Sequence, residues 1–169
     1  MKNKCMLVSV VILTISAISQ IILAIILYNP LRAAWQINTG WLVLWISAFF
    51  GWVPIYTFRM KGNVEGRSYI YTTTLVSSGV YAIVRHPQYL AVILMSIALS
   101  LITLHWSIVL LGIIIAAVIY KITIEGEKGC IEKFGDEYLE YMENVPRINF
   151  FLGIARLIRK RIRQREGER

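Results

Sequence analysis

The sequence predicts an all-α integral membrane protein of about four transmembrane helices, with a tight hairpin between the third and fourth and amphipathic helices at the carboxyl end. Hydrophobic residues make up 57% of the 169 residues, and charged residues only 17%. A soluble domain of this size has a high surface-to-volume ratio and could not hide so much apolar surface. The apolar residues also form long uncharged runs, which indicate lipid as the solvent.

The first two predicted spans cover residues 6–28 and 41–58, joined by a loop over residues 29–40. The first run carries no charge and is long enough to cross the hydrocarbon core. It is too long for the apolar region of a signal peptide, so we interpret it as a retained first helix. Pro54 lies near the end of the second span, where a proline predicts a kink that transmembrane helices tolerate.

The third and fourth predicted spans cover residues 89–104 and 107–124, and only His105 and Trp106 separate them. A link this short predicts an antiparallel helical hairpin. A basic polar stretch precedes the hairpin. Within it, residues 69–76 are rich in aromatic and β-branched side chains, which favour extended backbone.

Two amphipathic helices are predicted after the fourth span. Over residues 127–145, apolar side chains recur at spacings of three and four, and acidic side chains cover the opposite face. Residues 150–162 form a basic amphipathic stretch that suits a helix lying in the headgroup plane. We interpret the chain as a single membrane domain: two N-terminal spans over residues 1–58, a core over residues 59–150 and a basic interfacial tail over residues 151–169.

The formal net charge is +8, and basic residues are concentrated at the carboxyl end. Seven Lys or Arg and two Glu lie between residues 156 and 169. With four spans, the basic amino end, the basic loop over residues 59–86 and this tail all lie on one side of the membrane. The positive-inside rule makes that side the cytoplasm, so both termini are predicted to be cytoplasmic. The tail is predicted to contact anionic lipids rather than nucleic acid.

Arg85, His86, Pro87 and Tyr89 form the first candidate cluster, immediately before the third span. Pro87 is predicted to be the first residue of a helix, because its missing N–H would lack a partner there anyway. The free amides at this helix end, with Arg85 and His86 beside them, are suited to binding a carboxylate or phosphate. Tyr89 lies in the first turn and can stack on a ring. Ordinary anchoring at the membrane interface is the simpler alternative.

Glu127 begins the second candidate cluster, at the inner end of the fourth span. Its spacing from Ile131 and Phe134 places it on the inward helix face, where an unpartnered carboxylate is costly. Arg85, Arg147 or a cationic ligand are the candidate partners, and a snorkelling Glu paired with a lysine is the alternative. Because the hairpin returns both clusters to one membrane face, we expect a shared cavity at the cytoplasmic surface. Such a cavity suits a cationic, carboxylate-bearing cofactor and opens sideways to lipid.

Several spaced motifs occur together within residues 70–150. They are Leu75-Val76-x-x-Gly79-x-Tyr81-x-x-Val84-Arg85-His86-Pro87-x-Tyr89, then Glu127, then Phe134-Gly135-Asp136-Glu137-Tyr138-x-x-Tyr141, and finally Val145-Pro146-Arg147. In this combination the sequence resembles the isoprenylcysteine carboxyl methyltransferase family and the related phospholipid N-methyltransferases. The resemblance implies a membrane enzyme that binds S-adenosylmethionine at the cytoplasmic edge and admits a lipid-like or prenylated substrate from the bilayer.

The resemblance also implies roles for individual residues. The residues implied to contact the cofactor are Tyr81, His86, Pro87, Tyr89 and Glu127, and those implied in catalysis are Glu127, Arg85 and Arg147. The sequence departs from the family pattern at two places. Gly126 and Glu127 stand where the family has a Glu-Glu doublet, with Glu125 as the candidate substitute, and Phe150 stands where the family has a proline.

The chemistry of the acceptor stays open at this point. A carboxylate acceptor is already ionised at pH 7 and needs a cation to position it, for which Arg85 or Arg147 fits. An amine acceptor must first lose a proton, and Glu127 is the candidate base. We favour a carboxyl acceptor of the prenyl-cysteine type. An NADPH-dependent sterol-type reductase and a non-enzymatic membrane scaffold are the remaining alternatives, and no metal site is predicted.

Overall fold

The computed structural model describes residues 2–31, 33–61 and 74–167. Over these residues the chain forms six α-helices and one short 3₁₀ turn at Gly79–Ala82, with no strand. The helices are α1 (Lys2–Ile26), α2 (Ala34–Lys61), α3 (Pro87–Thr103), α4 (Trp106–Phe134), α5 (Asp136–Asn144) and α6 (Phe150–Gly167). The predicted all-α class is confirmed. Of the segment predicted to favour extended backbone, residues 69–73 lie outside the described residues and residues 74–76 form no strand.

Three of these helices are long and apolar enough to cross a membrane, namely α1, α2 and α4. Helix α3 is also apolar but has 17 residues, which is about 26 Å of helix against a hydrocarbon core of about 30 Å. The integral membrane class is therefore confirmed, while the fourth span remains a prediction. The lipid-facing character is plain in α1, whose exposed side chains are mostly isoleucine, valine and leucine.

The structure corrects the predicted bounds of several elements. Helix α2 begins at Ala34 rather than at residue 41, so the loop before it is shorter than predicted. Helix α4 continues past residue 124 to Phe134. The helix predicted over residues 127–145 is divided at Gly135, where φ is +57°. A backbone in this left-handed region cannot continue a right-handed helix, and glycine adopts it without steric cost.

The chain forms two compact units, and the first comprises Met1–Gly51 and Tyr89–Glu127. Its helices approach closely where residues are small, as expected for packing in lipid. A Cβ at Gly40 would lie 3.1 Å from the Ala98 carbonyl oxygen. The Ser47 hydroxyl donates a hydrogen bond to the Ala91 carbonyl at 2.8 Å. These contacts join α2 to α3 without charged groups.

The second unit comprises Trp52–Gln88 and Lys128–Arg169. Its core is a cluster of Tyr138, Tyr141 and Val145, all buried, with partly buried apolar side chains packed against them. The rings of Tyr138 and Tyr141 meet edge to face, with centroids 5.8 Å apart. Every member of this core comes from the short helix α5 or the residue after it. The basic stretch predicted over residues 150–162 is confirmed as a helix and extends to Gly167.

Candidate active site

The segment before α3 is held in an irregular but buried conformation. Gly79, with φ +66°, opens the 3₁₀ turn, and a side chain there would meet Thr57. Val84 is completely buried, and Pro87 is the first residue of α3 and is also buried. The predicted helix start at Pro87 is confirmed. The segment is therefore fixed at both ends, which is what a preorganised binding site requires.

Two backbone hydrogen bonds join this segment to the Val145-Pro146-Arg147 motif. The Arg85 amide donates to the Pro146 carbonyl at 3.0 Å, and the His86 amide donates to the Arg147 carbonyl at 3.1 Å. The side chains of Arg85, His86 and Arg147 are all half-buried. Arg85 and His86 thus lie beside Arg147, which is distant in sequence, within one compact unit.

Tyr81 and Tyr141 brace the same segment. The Tyr141 hydroxyl donates to the Tyr81 carbonyl at 2.6 Å, which ties α5 to the 3₁₀ turn. The ring centroids of Tyr81 and Phe58 lie 6.1 Å apart. Burial raises the pKa of Tyr81 to about 12, and burial also raises the pKa of Tyr141. Both phenols are neutral at physiological pH and keep their hydroxyl protons for donation.

The raised pKa of Tyr81 predicts a loss of stability in alkali. The folded-state pKa of about 12 exceeds the ordinary tyrosine pKa of 10.0, so folding favours the neutral phenol. The contribution of the neutral Tyr81 phenol to the free energy of unfolding is complete below pH 10 and is lost as the pH rises towards 12. Thermal unfolding of the detergent-solubilised protein at several pH values should show a midpoint that falls over this range. In Tyr81→Phe, whose backbone acceptor for Tyr141 is unchanged, the fall should be smaller; equal slopes for the two proteins would contradict the assignment.

Helix α6 is anchored beside the same segment through Gly153. A Cβ built at Gly153 would overlap the Ile83 carbonyl oxygen, two residues before Arg85. Only glycine allows this approach of the two backbones. Neither Gly153 nor the Tyr141 hydroxyl was identified from the sequence, because no local pattern indicates which distant backbone a residue contacts.

Glu127 lies in the other compact unit, near the end of α4. It is 3% exposed, whereas Glu132 and Glu137 are exposed, as the helical spacing predicted. Glu125 is only half-buried, and Gly126 is exposed with open space around it. Of the carboxylates near this helix end, Glu127 is thus the one withdrawn from solvent. Tyr89 is half-buried in the same unit, and the joint action of Tyr89 and Glu127 with Arg85 and His86 remains a prediction.

A cavity of about 680 Å³ lies within the second unit, between α5, α6, the residues before the 3₁₀ turn and the last residue of that turn. None of the residues predicted to bind cofactor or to act in catalysis lines it. It is lined by acidic side chains of α5 and basic side chains of α6. The sequence shows both sets of charges, but it does not show that they line one space.

Comparisons with known proteins show which families this chain is similar to. The phospholipid methyltransferase family model matches residues 35–136. The mouse and rat proteins named protein-S-isoprenylcysteine O-methyltransferase are each 38% identical to this chain over 87 residues, and the human protein of that name is 39% identical. These alignments cover 44% of this chain and 27% of each relative. The chain thus aligns with about a quarter of the length of these relatives, and no solved structure matches it significantly.

The family match contains Tyr81, the Arg85–Tyr89 cluster and Glu127, and it ends before Arg147. It also contains all of α3 and α4 and nearly all of α2. The match therefore includes three of the four apolar helices, α2 to α4, and most of the polar residues that the sequence singled out, over more than half of the chain. This chain belongs to the phospholipid methyltransferase family.

Proposed function

We propose that this protein transfers a methyl group from S-adenosylmethionine to a lipid-like acceptor that enters from the membrane, with carboxyl O-methylation of the isoprenylcysteine type favoured. The family match over residues 35–136 carries the proposal. The named activity of the mouse, rat and human relatives supports the carboxyl acceptor. The apolar surface of α1, α2 and α4 supports an acceptor that arrives through lipid.

The residues available fit such a donor by their chemistry. S-adenosylmethionine carries a carboxylate, cationic centres, ribose hydroxyls and an aromatic base. Arg85, whose Nε and Nη1 atoms are buried, suits the carboxylate, because guanidinium–carboxylate hydrogen bonds are strong when water is excluded. The buried carboxylate of Glu127 suits an ammonium or ribose hydroxyls. His86 and the aromatic rings of Tyr81 and Tyr89 suit the remaining polar edges and the base.

When bound, the donor supplies a methyl carbon on a positively charged sulfur. Transfer of that methyl group to a carboxylate oxygen would form a carbon–oxygen bond as the carbon–sulfur bond breaks, with the electron pair leaving on sulfur, and would neutralise charge. Arg147 orients the acceptor carboxylate, since Arg85 is assigned to the carboxylate of the donor. The apolar helices exclude water and strengthen the attraction between the opposite charges. The protein's contribution is mainly orientation, for which residues fixed by backbone hydrogen bonds are suited.

An amine acceptor is the second candidate, because the matching family is described as phospholipid methyltransferase. An ammonium group has no lone pair, so a base must first remove a proton. Glu127 is the proposed base. The two candidates therefore differ in their need for the Glu127 carboxylate beyond donor binding.

Donor binding can be tested by thermal unfolding of the detergent-solubilised protein. S-adenosylmethionine at about 100 times its dissociation constant should stabilise the fold by about 2.7 kcal/mol, and NADPH should have no effect. Glu127→Ala and His86→Ala should abolish the stabilisation. Glu132→Ala, an exposed carboxylate on the same helix, is the matched control and should keep it. Stabilisation by NADPH alone would favour an NADPH-dependent sterol-type reductase. Stabilisation by neither ligand would favour a non-enzymatic membrane scaffold.

Radiolabelled methyl transfer distinguishes the acceptors. We expect label in a farnesyl-cysteine mimic and not in phosphatidylethanolamine when both are supplied side by side. With a carboxyl acceptor, the rate at saturating donor should be flat between pH 6 and 8, since a carboxylate with an ordinary pKa of about 4 is already ionised. An amine acceptor should instead give a rate that rises with pH. Label in the phospholipid alone would replace the first candidate by the second.

We infer that both termini are cytoplasmic and that the basic tail contacts anionic lipids. The excess of Lys and Arg at the chain ends supports this orientation. Helix α6 supports the lipid contact, because it exposes Phe151, Ile158 and Ile162 among its arginines. Cysteine labelling from either side of sealed vesicles checks the orientation.

A further inference from the structure

Helices α5 and α6 carry rows of opposite charge that line one cavity. The acidic row is Glu137, Glu140 and Glu143, at successive spacings of three. The basic row is Arg156, Arg159, Lys160 and Arg163, at the spacings of three and four that share a helix face. The cavity of about 680 Å³ falls in the size range of small-molecule sites, which is roughly 300–1,000 Å³.

The two rows do not neutralise each other. Among the described side chains, no ion pair within 4 Å joins a carboxylate of the acidic row to a cation of the basic row. Their one direct hydrogen bond runs from Arg156 Nη1 to the backbone carbonyl of Glu143, at 2.8 Å, and leaves the Glu143 carboxylate out. Opposite charges kept apart across a space favour a ligand that carries both charges and orients itself between them.

The charges also indicate the chemistry of that ligand. Arginine binds phosphate well, because its planar donors match two phosphate oxygens at once. An ammonium group suits the row of carboxylates. A free phosphate or a purely anionic lipid would satisfy α6 but would be repelled by α5, so it fits less well than a group carrying both charges.

The remaining face of α6 indicates that the ligand is a lipid. Phe151, Ile158 and Ile162 are exposed at 79%, 53% and 51%, and their spacing places them in one apolar strip beside the basic row. An amphipathic helix of this kind lies at the boundary of headgroups and acyl chains. A headgroup in the cavity would then place its acyl chains at the level of the strip.

We propose that the α5–α6 cavity binds the headgroup of a zwitterionic phospholipid, with the phosphate on α6 and the ammonium on α5. This lipid is held as a ligand and not as a methyl acceptor, because none of the residues predicted to bind cofactor or to act in catalysis lines the cavity. The site does not depend on the proposed methyl transfer.

Binding can be measured with the full-length protein in detergent, using a short-chain phosphatidylcholine below its micellar concentration. Arg159→Glu should weaken binding about tenfold or more, since a lost charge-assisted hydrogen bond is worth about 1.5–3 kcal/mol. Arg161→Glu is the matched control: it makes the same charge change on the same helix, and Arg161 does not line the cavity. It should change the affinity by less than about twofold. Equal losses in the two variants would overturn the proposal, because tail charge alone would then explain binding.

Three further arms complete the test. Glu140→Lys should lose phosphatidylcholine and gain phosphatidylglycerol, and the double variant Glu140→Lys, Arg159→Glu should recover phosphatidylcholine in part, by exchanging one charge between the rows. Inorganic phosphate and phosphocholine should bind much more weakly than the lipid; equal binding of phosphate would overturn the proposal in favour of a plain anion site.

Glu127→Ala should lose the response to S-adenosylmethionine yet keep its affinity for phosphatidylcholine. Failure of the lipid-site proposal is therefore distinguishable from failure of the proposed methyl transfer.

Discussion

Replacing Gly153 by alanine will detach α6 from the segment that carries Arg85 and His86. The new Cβ would overlap the Ile83 carbonyl oxygen, and a backbone atom cannot rotate away as a flexible side chain can. Overpacking of this kind costs about 1–3 kcal/mol, occasionally more, and we expect the upper end. The midpoint of thermal unfolding in detergent should fall accordingly. The stabilisation by S-adenosylmethionine should also weaken, because Ile83 lies two residues before Arg85.

Gly129→Ala is the matched control for this experiment. Gly129 also lies within a helix, and a Cβ there has nothing within 4 Å. The same substitution should therefore raise stability, by up to about 1 kcal/mol, because alanine is the better helix former. If Gly153→Ala were as stable as Gly129→Ala and kept its full donor response, the close approach of α6 to Ile83 would be wrong.

The contrast between these glycines illustrates which parts of the fold the sequence could predict. Local patterns were sufficient for the helices, since long apolar runs and amphipathic spacing are properties of neighbouring residues. They were also sufficient for the helix start at Pro87 and for the burial of Glu127. The division at Gly135 was missed, because the amphipathic pattern continues through it and a lone glycine is a weak signal beside that pattern.

The contacts that assemble the site could not be predicted in this way. The bonds from the Arg85 and His86 amides to Pro146 and Arg147 join backbone groups, and any residue type other than proline would supply the same donors. The Tyr141 hydroxyl likewise bonds a carbonyl. The identities of the side chains therefore do not indicate which backbone groups are hydrogen-bonded to each other. The family resemblance placed Arg147 near the site, but it did not supply the contacts that hold it there.

The same limit applies to Gln20, a polar residue within the first span. Its side chain is fully buried, and Nε2 donates to the Ser96 hydroxyl at 2.7 Å and to the Ile108 carbonyl at 3.0 Å. Polar side chains in lipid face a neighbouring helix, because a lost hydrogen bond there cannot be replaced by water. Gln20 thus ties α1 to both α3 and α4. Gly112 of α4 leaves room for these hydrogen bonds, because a Cβ there would lie 2.7 Å from Ser96 Oγ and 3.4 Å from Gln20 Nε2.

Gly112→Ala should therefore destabilise the first unit by about 2 kcal/mol through overpacking, measured as a lower midpoint of unfolding in detergent. Unlike Gly153, its nearest neighbour is a side-chain oxygen that can be removed. Ser96→Ala alone should cost about 0.6 kcal/mol for one interhelical hydrogen bond in lipid.

Combined with Gly112→Ala, Ser96→Ala should relieve the overlap, so the double variant should be more stable than the sum of the single losses predicts. A coupling of about 1 kcal/mol or more is expected for residues in contact. Ser100→Ala is the matched control, because Ser100 Oγ lies 3.9 Å from the same Cβ, at ordinary contact distance. Its removal should give no rescue. Additive losses of stability with Ser96→Ala, or equal rescue by Ser100→Ala, would contradict the close approach of Gly112 in α4 to Ser96 and Gln20.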